Sequence, residues 1–554
     1  MFALLVAAAC SPEIPEAPPP KVIQDLTQTE DTAGDPTDTD ETDPVDTGEP
    51  STVPVEDPPA PRIVLNEVMS ENTCTLSNGA GALPDWIELY NPTAEPVGLD
   101  RMAVWDASGI VWMGPAGQSL DPGGYLILYA DGAEGDLHTP WSLDNDGDTL
   151  TLSVDGEVVD RMNMGQIGDD ISWARFPDGG SWDVTVEVTP GASNGNTPSE
   201  TLDPLSVLYT LDAIDRVDIT LSSAAYSSLS SASSTYVEAT FNLGGIEYEP
   251  VGARLRGSMT FQPLTGKAAW KIDMNRFEDF SYRGQKKFNI INMYYDASMV
   301  REYMAYYVFR EFGVPSARNR YIRTYLNDAY LGVELLSEVY DAEFLRNWYG
   351  NPDGDGYMVW EEGYTECEVG PCDSSIVTNM LAKLNENASH PSDDDIAELE
   401  TMLDLDAALR EIAGELTLGQ WDGYCAPHNY RYAYNPDTGL LQIMPSSLDL
   451  LFDNLGYSYG GNYYSCNGPI LNYCLNNEAC DERYSQLLLE LADGIEESYA
   501  IDETMDRIYE LVEPYAGDEP RGQYSYASYV SQFEYVRTYL RELPEEIRDQ
   551  VDAH

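Results

Sequence analysis

The sequence predicts a multidomain chain, an all-β sandwich followed by a larger α+β module. Three observations carry this. The chain has 554 residues, 43% of them hydrophobic and 11% aromatic, which is too long for one ordinary domain and rich enough to build cores. Between about 61 and 196, short alternating runs are separated by Gly, Pro and Asp turns. From about 205 the pattern becomes a mixture of strands and amphipathic helices.

Each element follows in order. Met1 to Ala9 is apolar, and Cys10 follows Ala7-Ala8-Ala9. Small residues before a cysteine resemble a bacterial lipobox, so residues 1–10 are expected to be a lipoprotein signal with Cys10 lipidated. Residues 11–60 hold eleven prolines and fourteen acids against one lysine. Such a stretch buries no core and reads as a disordered, self-repelling linker. No later run reaches the ~20 apolar residues needed to span a bilayer.

In the sandwich region, Ile63 to Met69 and Asp85 to Asn91 read as strands. Asp121-Pro122-Gly123-Gly124 is a turn before the strand Tyr125 to Tyr129, and Asp144 to Asp148 is a turn before Thr149 to Leu152. The turn at Asp144 and the one at Asn351 to Gly356 look like fragments of calcium loops. Neither continues to the distal Glu of an EF-hand, and turn chemistry explains both.

In the second region, Val217 to Leu221 and Val237 to Phe241 read as strands. Residues 298–312 read as an amphipathic helix with Met299, Tyr303, Tyr306 and Tyr307 on one face, ended by Gly313-Val314-Pro315. The strands Tyr321 to Leu326 and Gly332 to Leu336 follow, and further helices are expected near 395–416, 482–497 and 526–542.

Composition excludes some functions. The chain carries 96 Asp+Glu against 29 Lys+Arg, a formal charge of -67, which argues against a nucleic-acid partner because phosphate binding needs basic surface. It has only four histidines and no His-Glu-x-x-His helix, which argues against common hydrolase sites. Six of the eight cysteines, Cys367, Cys372, Cys425, Cys466, Cys474 and Cys480, cluster late in the chain without zinc spacing. They read as disulfides of an oxidising compartment, with Cys367 and Cys372 near enough to close a small loop.

Phosphoryl transfer needs a cation for the phosphates, a carboxylate for the acceptor proton, and Asn and Asp ligands for a metal. Arg254-Leu255-Arg256-Gly257-Ser258, with Lys267 and Lys271 soon after, would suit phosphate; so would a plain basic strand edge. In Trp421-Asp422-Gly423-Tyr424-Cys425-Ala426-Pro427-His428-Asn429-Tyr430 a carboxylate stands seven residues ahead of an amide, just before a strand. Met444-Pro445-Ser446-Ser447-Leu448-Asp449-Leu450 adds a carboxylate downstream.

Two resemblances join these pieces. Asn66-Glu67-Val68-Met69, Asp85 to Pro92, Pro122-Gly123-Gly124-Tyr125 and Thr189-Pro190-Gly191-Ala192-Ser193-Asn194 resemble the bacterial lamin-tail domain across 61–196. That implies an immunoglobulin-like sandwich without catalysis. Val251 to Ser258, Lys267 to Ile272, Val300-Arg301-Glu302, Phe309 to Pro315, Tyr330 to Glu338, Trp421 to Tyr434 and Pro445 to Asp449 resemble the CotH protein-kinase family across 205–545. That implies a divergent protein-kinase-like fold using ATP and Mg²⁺ or Mn²⁺. By position it implies Asp422 as catalytic base, Asn429 and Asp449 on the metal side, and Arg256, Lys267 or Lys271 and Glu338 on the nucleotide side. One departure stands out: the family's Pro-Trp-Asp-Leu-Asp is Pro445-Ser446-Ser447-Leu448-Asp449 here, so Ser447 replaces a carboxylate, with Asp449 or Asp453 as substitutes. The expected function is a kinase, lipid-anchored to the bacterial membrane or cell surface, that phosphorylates extracytoplasmic proteins. The alternative is an impaired pseudokinase that binds a surface ligand as an adhesion or scaffold protein.

Overall fold

A computed structural model describes residues 62–554, apart from 200, 352–354, 361–366, 453–460 and 518. Cys10, the acidic segment 11–60, Asp453 and the centre of the 351–356 turn lie outside the described residues.

Alternation builds the sandwich. Among the described residues, one five-stranded antiparallel sheet runs in the order Ser181–Thr185, Ser172–Phe176, Val64–Met69, Asp85–Tyr90, Tyr125–Ala130. A four-stranded sheet runs Val111–Met113, Met102–Trp105, Thr149–Val154, Glu157–Asn163. Leu65, Ile87, Leu89 and Leu128 of the first share one core with Met102, Val104, Leu150 and Leu152 of the second. At Asp144 the observed geometry is a turn: Asp146 N–H donates to the Asp144 carboxylate and Gly147 N–H to the Asp144 carbonyl.

The second module begins with a closed barrel. Its strands run Asp215–Thr220, Val237–Leu243, Ile246–Arg256, Ala269–Asp273, Lys287–Ile291, Ala329–Ser337 and Asn319–Leu326. Parallel pairing of Asp215–Ile219 with Ile322–Leu326 closes it. Phe241, Leu255, Trp270, Ile272, Phe288 and Ile290 fill its interior.

The rest is helical around a small sheet. The strands Met358–Trp360, Tyr430–Asn435 and Leu440–Pro445 pack with the helices Arg301–Glu311, Leu405–Leu418, Glu478–Asp493, Ile501–Ala516 and Tyr526–Ala553 around a second apolar core. The expected helix 298–312 is Arg301–Glu311, stopped at Gly313, whose φ of 81° turns the chain away. The expected helix 395–416 is two, Asp393–Leu399 and Leu405–Leu418, because the Asp404 carboxylate accepts Ala407 N–H and starts a new helix. The last helix runs on to Ala553, beyond the expected 542.

Sandwich and barrel belong to one body, residues 63–554. At their contact the Asp170 carboxylate accepts the backbone N–H groups of Thr73, Cys74 and Arg283, and the Tyr248 hydroxyl donates to the Thr73 carbonyl at 2.8 Å. The sulfurs of Cys367 and Cys372, Cys425 and Cys466, and Cys474 and Cys480 are bonded, so the late cysteine cluster is a set of disulfides.

Candidate functional site

The barrel core and the helical core are separate, and a polar cleft of about 260 Å³ is walled by both parts. The barrel supplies Arg256, Gly257, Ser258, Thr260 and Ala269. Arg256 ends its strand opposite Ala269, and the chain then turns at Gly257 (φ 105°), where a Cβ would stand 3.0 Å from the Phe261 nitrogen. Only glycine allows that turn at low cost.

The facing wall is built on the helix Leu405–Leu418. Gly419 (φ 80°) ends it, and the chain loops through Asp422 to Asn429 before the strand Tyr430–Asn435. The Glu415 carboxylate holds this loop by accepting Tyr424 N–H at 2.7 Å and Cys425 N–H at 2.8 Å. The Cys425–Cys466 disulfide fixes it covalently. The Asn429 amide donates to the Asp422 carboxylate at 3.1 Å, and Asp422 stays 30% exposed to the cleft. Ser446 N–H donates to the Asn429 carbonyl at 3.0 Å, which ties the next strand's exit, with Ser447 and Asp449, to the same loop.

A third wall is the first turn of Arg301–Glu311. The Asp296 carboxylate accepts Ser298 N–H at 2.8 Å and Arg301 N–H at 2.9 Å, which holds the turn leading into the helix. The Arg301 guanidinium donates to the Leu451 carbonyl, clamping the segment after Asp449. Glu302, next in sequence, lines the cleft.

Charge in the cleft is unevenly compensated. Burial, then the Asp449 charge, pushes the Glu302 carboxyl up to about 8; Arg256 opposes this. Burial also raises Asp449, with Arg256 opposing and Asp296 and Asp422 adding to it. On the barrel, burial and then the Arg256 and Arg254 charges lower Lys271 to about 8. Like charges thus stand near one another on each side, the cations on the barrel and the acids on the helical part.

Of the residues named from sequence, Arg256, Asp422, Asn429 and Asp449 converge on the cleft. Lys271 stands opposite Arg254 on the barrel's outward row, the row that places Ala269 in the cleft wall. Lys267 lies elsewhere, 3% exposed and paired with Glu519 at 2.5 Å. Glu338 is held by Arg318 at 2.7 Å and does not line the cleft. Glu302 ends Val300-Arg301-Glu302, a run to which the sequence assigns no role. Its signal is an acid in the first turn of a helix that is apolar or aromatic from Tyr303 to Phe309.

Among the described residues no three His, Cys, Asp or Glu side chains converge as a ready-made metal cage. The donor set still fits Mg²⁺ or Mn²⁺ bound with a nucleotide, because such ions are usually held by one or two carboxylates plus substrate phosphates. Asp449, Glu302 and the Asn429 amide oxygen are the groups that would hold it.

A barrel set on a helical part, with an Asp–Asn loop and a downstream carboxylate facing a basic strand across the cleft, defines a kinase-like protein. Residues 253–546 match the CotH kinase protein family, and residues 56–166 match the Lamin Tail Domain. The chain belongs to the CotH kinase protein family. It is similar to the inner spore coat protein H of Bacillus subtilis (strain 168), with 21% identity over 267 residues, 44% of this chain and 72% of that protein. Among solved structures it is similar to the HipA–HipB toxin–antitoxin complex with operator DNA from Shewanella oneidensis MR-1 (13% identity, 54% of this chain, 68% of that one, TM-score 0.24). It is also similar to the Helicobacter pylori proinflammatory kinase CtkA (11% identity, 57% of this chain, 90% of that one, TM-score 0.21).

Proposed function

We propose that this chain is a surface-anchored protein kinase that transfers phosphate from ATP to hydroxyl groups of extracytoplasmic proteins. The observation that carries the reading is the convergence of Asp422, Asn429, Asp449 and Arg256 on one cleft. Arg256 and Lys271 bind and orient the nucleotide phosphates, whose charge relieves the repulsion between these cations. Asp422 takes the proton of the acceptor hydroxyl as its oxygen bonds to the γ-phosphorus, the bond to the β-phosphate oxygen breaks, and ADP leaves. Asn429 orients Asp422 through their hydrogen bond. A divalent cation, when bound, neutralises phosphate oxygens and is held from the Asp449 side. The lipobox-like run before Cys10 and the disulfides support placement outside the cytoplasm, anchored to a membrane by lipid.

A second reading, a pseudokinase kept for binding, rests on Ser447, where a hydroxyl replaces the family's carboxylate. One experiment separates the two. Asp422→Ala in the full chain is expected to lower phosphate transfer by ~10²–10⁴-fold with melting unchanged. Calorimetry with ATP and Mg²⁺ or Mn²⁺ runs beside it. Absence of nucleotide binding in the parent chain would sink the kinase reading in favour of the scaffold.

A further inference from the structure

We infer that Glu302 and Asp449 together form a divalent-cation site, Glu302 supplying the anionic oxygen that Ser447 does not. The inference rests on the kinase reading only for the phosphates that complete the coordination.

Glu302 is 3% exposed, yet it lines the open cleft with Asp449, Asn429 and Ser447. Its Oε2 is buried and, among the described residues, has no hydrogen-bond partner, and no ion pair holds its carboxylate there. A buried carboxylate oxygen without a donor is costly unless something cationic completes it. The other nearby acids are already committed. Asp296 holds the turn leading into the helix through Ser298 and Arg301, and Asp422 accepts from Asn429. Asp273, Glu334 and Glu411 also carry buried oxygens without a partner among the described residues, but none of them lines the cleft.

The position is built. Glu302 lies in the first turn of Arg301–Glu311, where the helix dipole favours an anion. Arg301 binds the Leu451 carbonyl, so the helix start and the Asp449 segment move as one piece. Two carboxylates from two elements, plus phosphate oxygens, are what Mg²⁺ and Mn²⁺ commonly take, whereas the Ser447 hydroxyl adds no charge. Arg256, on the far wall, is left for the phosphates.

The test is a Mn²⁺ titration of the full chain, read by electron paramagnetic resonance with and without a non-hydrolysable ATP analogue. Loss of even an outer-shell partner weakens metal binding by roughly 10–100-fold, so Glu302→Gln is expected to weaken Mn²⁺ by at least about tenfold. Asp449→Asn should match it, and nucleotide binding in EDTA should be unchanged in both. Glu302→Gln keeps the side-chain volume, so its melting in EDTA should be no lower than the parent's. Adding Ser447→Asp to Glu302→Gln should recover part of the lost affinity. Parent-like Mn²⁺ affinity in Glu302→Gln would overturn the site and leave the kinase reading standing. Mn²⁺ binding that depends on Glu302, in a chain that binds no nucleotide, would support the site and remove the kinase reading. No Mn²⁺ binding by the parent under either condition would overturn the site.

Discussion

Two pairs of acids, one in the sandwich and one in the cleft, follow opposite logic. Glu67 and Glu88 stand opposite each other on neighbouring strands, both fully buried. Glu88 accepts the Asn66 amide at 3.0 Å and Gly191 N–H at 2.6 Å. Glu67 accepts the Ser172 hydroxyl at 2.6 Å and Thr189 N–H at 3.3 Å. These bonds tie the segment after the last sandwich strand to the sheet. Glu302 is also buried and is raised by the charge of the half-buried Asp449, but its Oε2 has no donor among the described residues and it lines an open cleft. Burial alone therefore does not separate structure from function here. The difference is whether the protein itself completes the carboxylate or leaves that to a ligand.

The largest way to break this comparison is to remove a donor from the sandwich pair. The Asn66 amide serves Glu88 and Asp178, at 3.0 and 3.1 Å, and its carbonyl accepts Gly179 N–H at 3.0 Å. Asn66→Ala strands a buried acid, and is expected to cost about 3 kcal/mol, read as an earlier first transition in urea unfolding of the full chain. Glu302→Gln, which removes a charge the protein does not complete, should cost nothing in the same assay. Equal losses in the two variants would erase the distinction.

A smaller effect sharpens it through pH. Burial raises Glu67 to about 7; burial, then the Glu67 charge, raises Glu88 to about 9, against a usual value of 4.5. Both hold a proton in the fold that the unfolded chain releases. Their stabilisation is present in full below pH 4.5 and is lost as pH rises, through about 7 for Glu67 and about 9 for Glu88. Glu88→Gln removes the second contribution. The fall in melting temperature from pH 6 to pH 9 should then be shallower than in the parent, and identical slopes would show that Glu88 does not titrate with folding.

How much of this was legible depended on the range of the interactions. The sandwich strands were readable because alternation is local: Asp85–Tyr90 buries Ile87 and Leu89 on one face. The Asp422–Asn429 loop was readable because both residues lie within eight positions of one another. Lys267 and Lys271 could not be ranked from sequence. The partner that removes Lys267 from the cleft is Glu519, 252 residues away. Glu338 likewise has its cation, Arg318, on an approach that no spacing announces. The break between Asp393–Leu399 and Leu405–Leu418 was missed because apolar periodicity continues across it while Asp404 starts a new helix. Glu302 was hidden for the opposite reason, since what marks it is an absence of partners, visible only once the cleft is assembled.

The smallest effect expected concerns Ser447. Its backbone is left-handed, with φ 55°, a conformation that Asp and Asn adopt more readily than most residues. Ser447→Asp should therefore fit the backbone. It adds a fourth carboxylate to a cleft already lined by Glu302, Asp422 and Asp449. Without a cation the added repulsion should cost about 1 kcal/mol, a typical value for unit charges ~4 Å apart in water-like surroundings. With Mn²⁺ and nucleotide the same charge becomes a ligand, so the sign reverses and melting should rise above the parent's under that condition. Equivalent substitution in the sandwich, Ser172→Asp, has no cation to reverse it and should destabilise under both conditions, because it removes the Glu67 donor and adds a buried charge. A Ser447→Asp chain whose melting does not respond to Mn²⁺ would mean that the cleft acids, like the sandwich acids, are there for the fold.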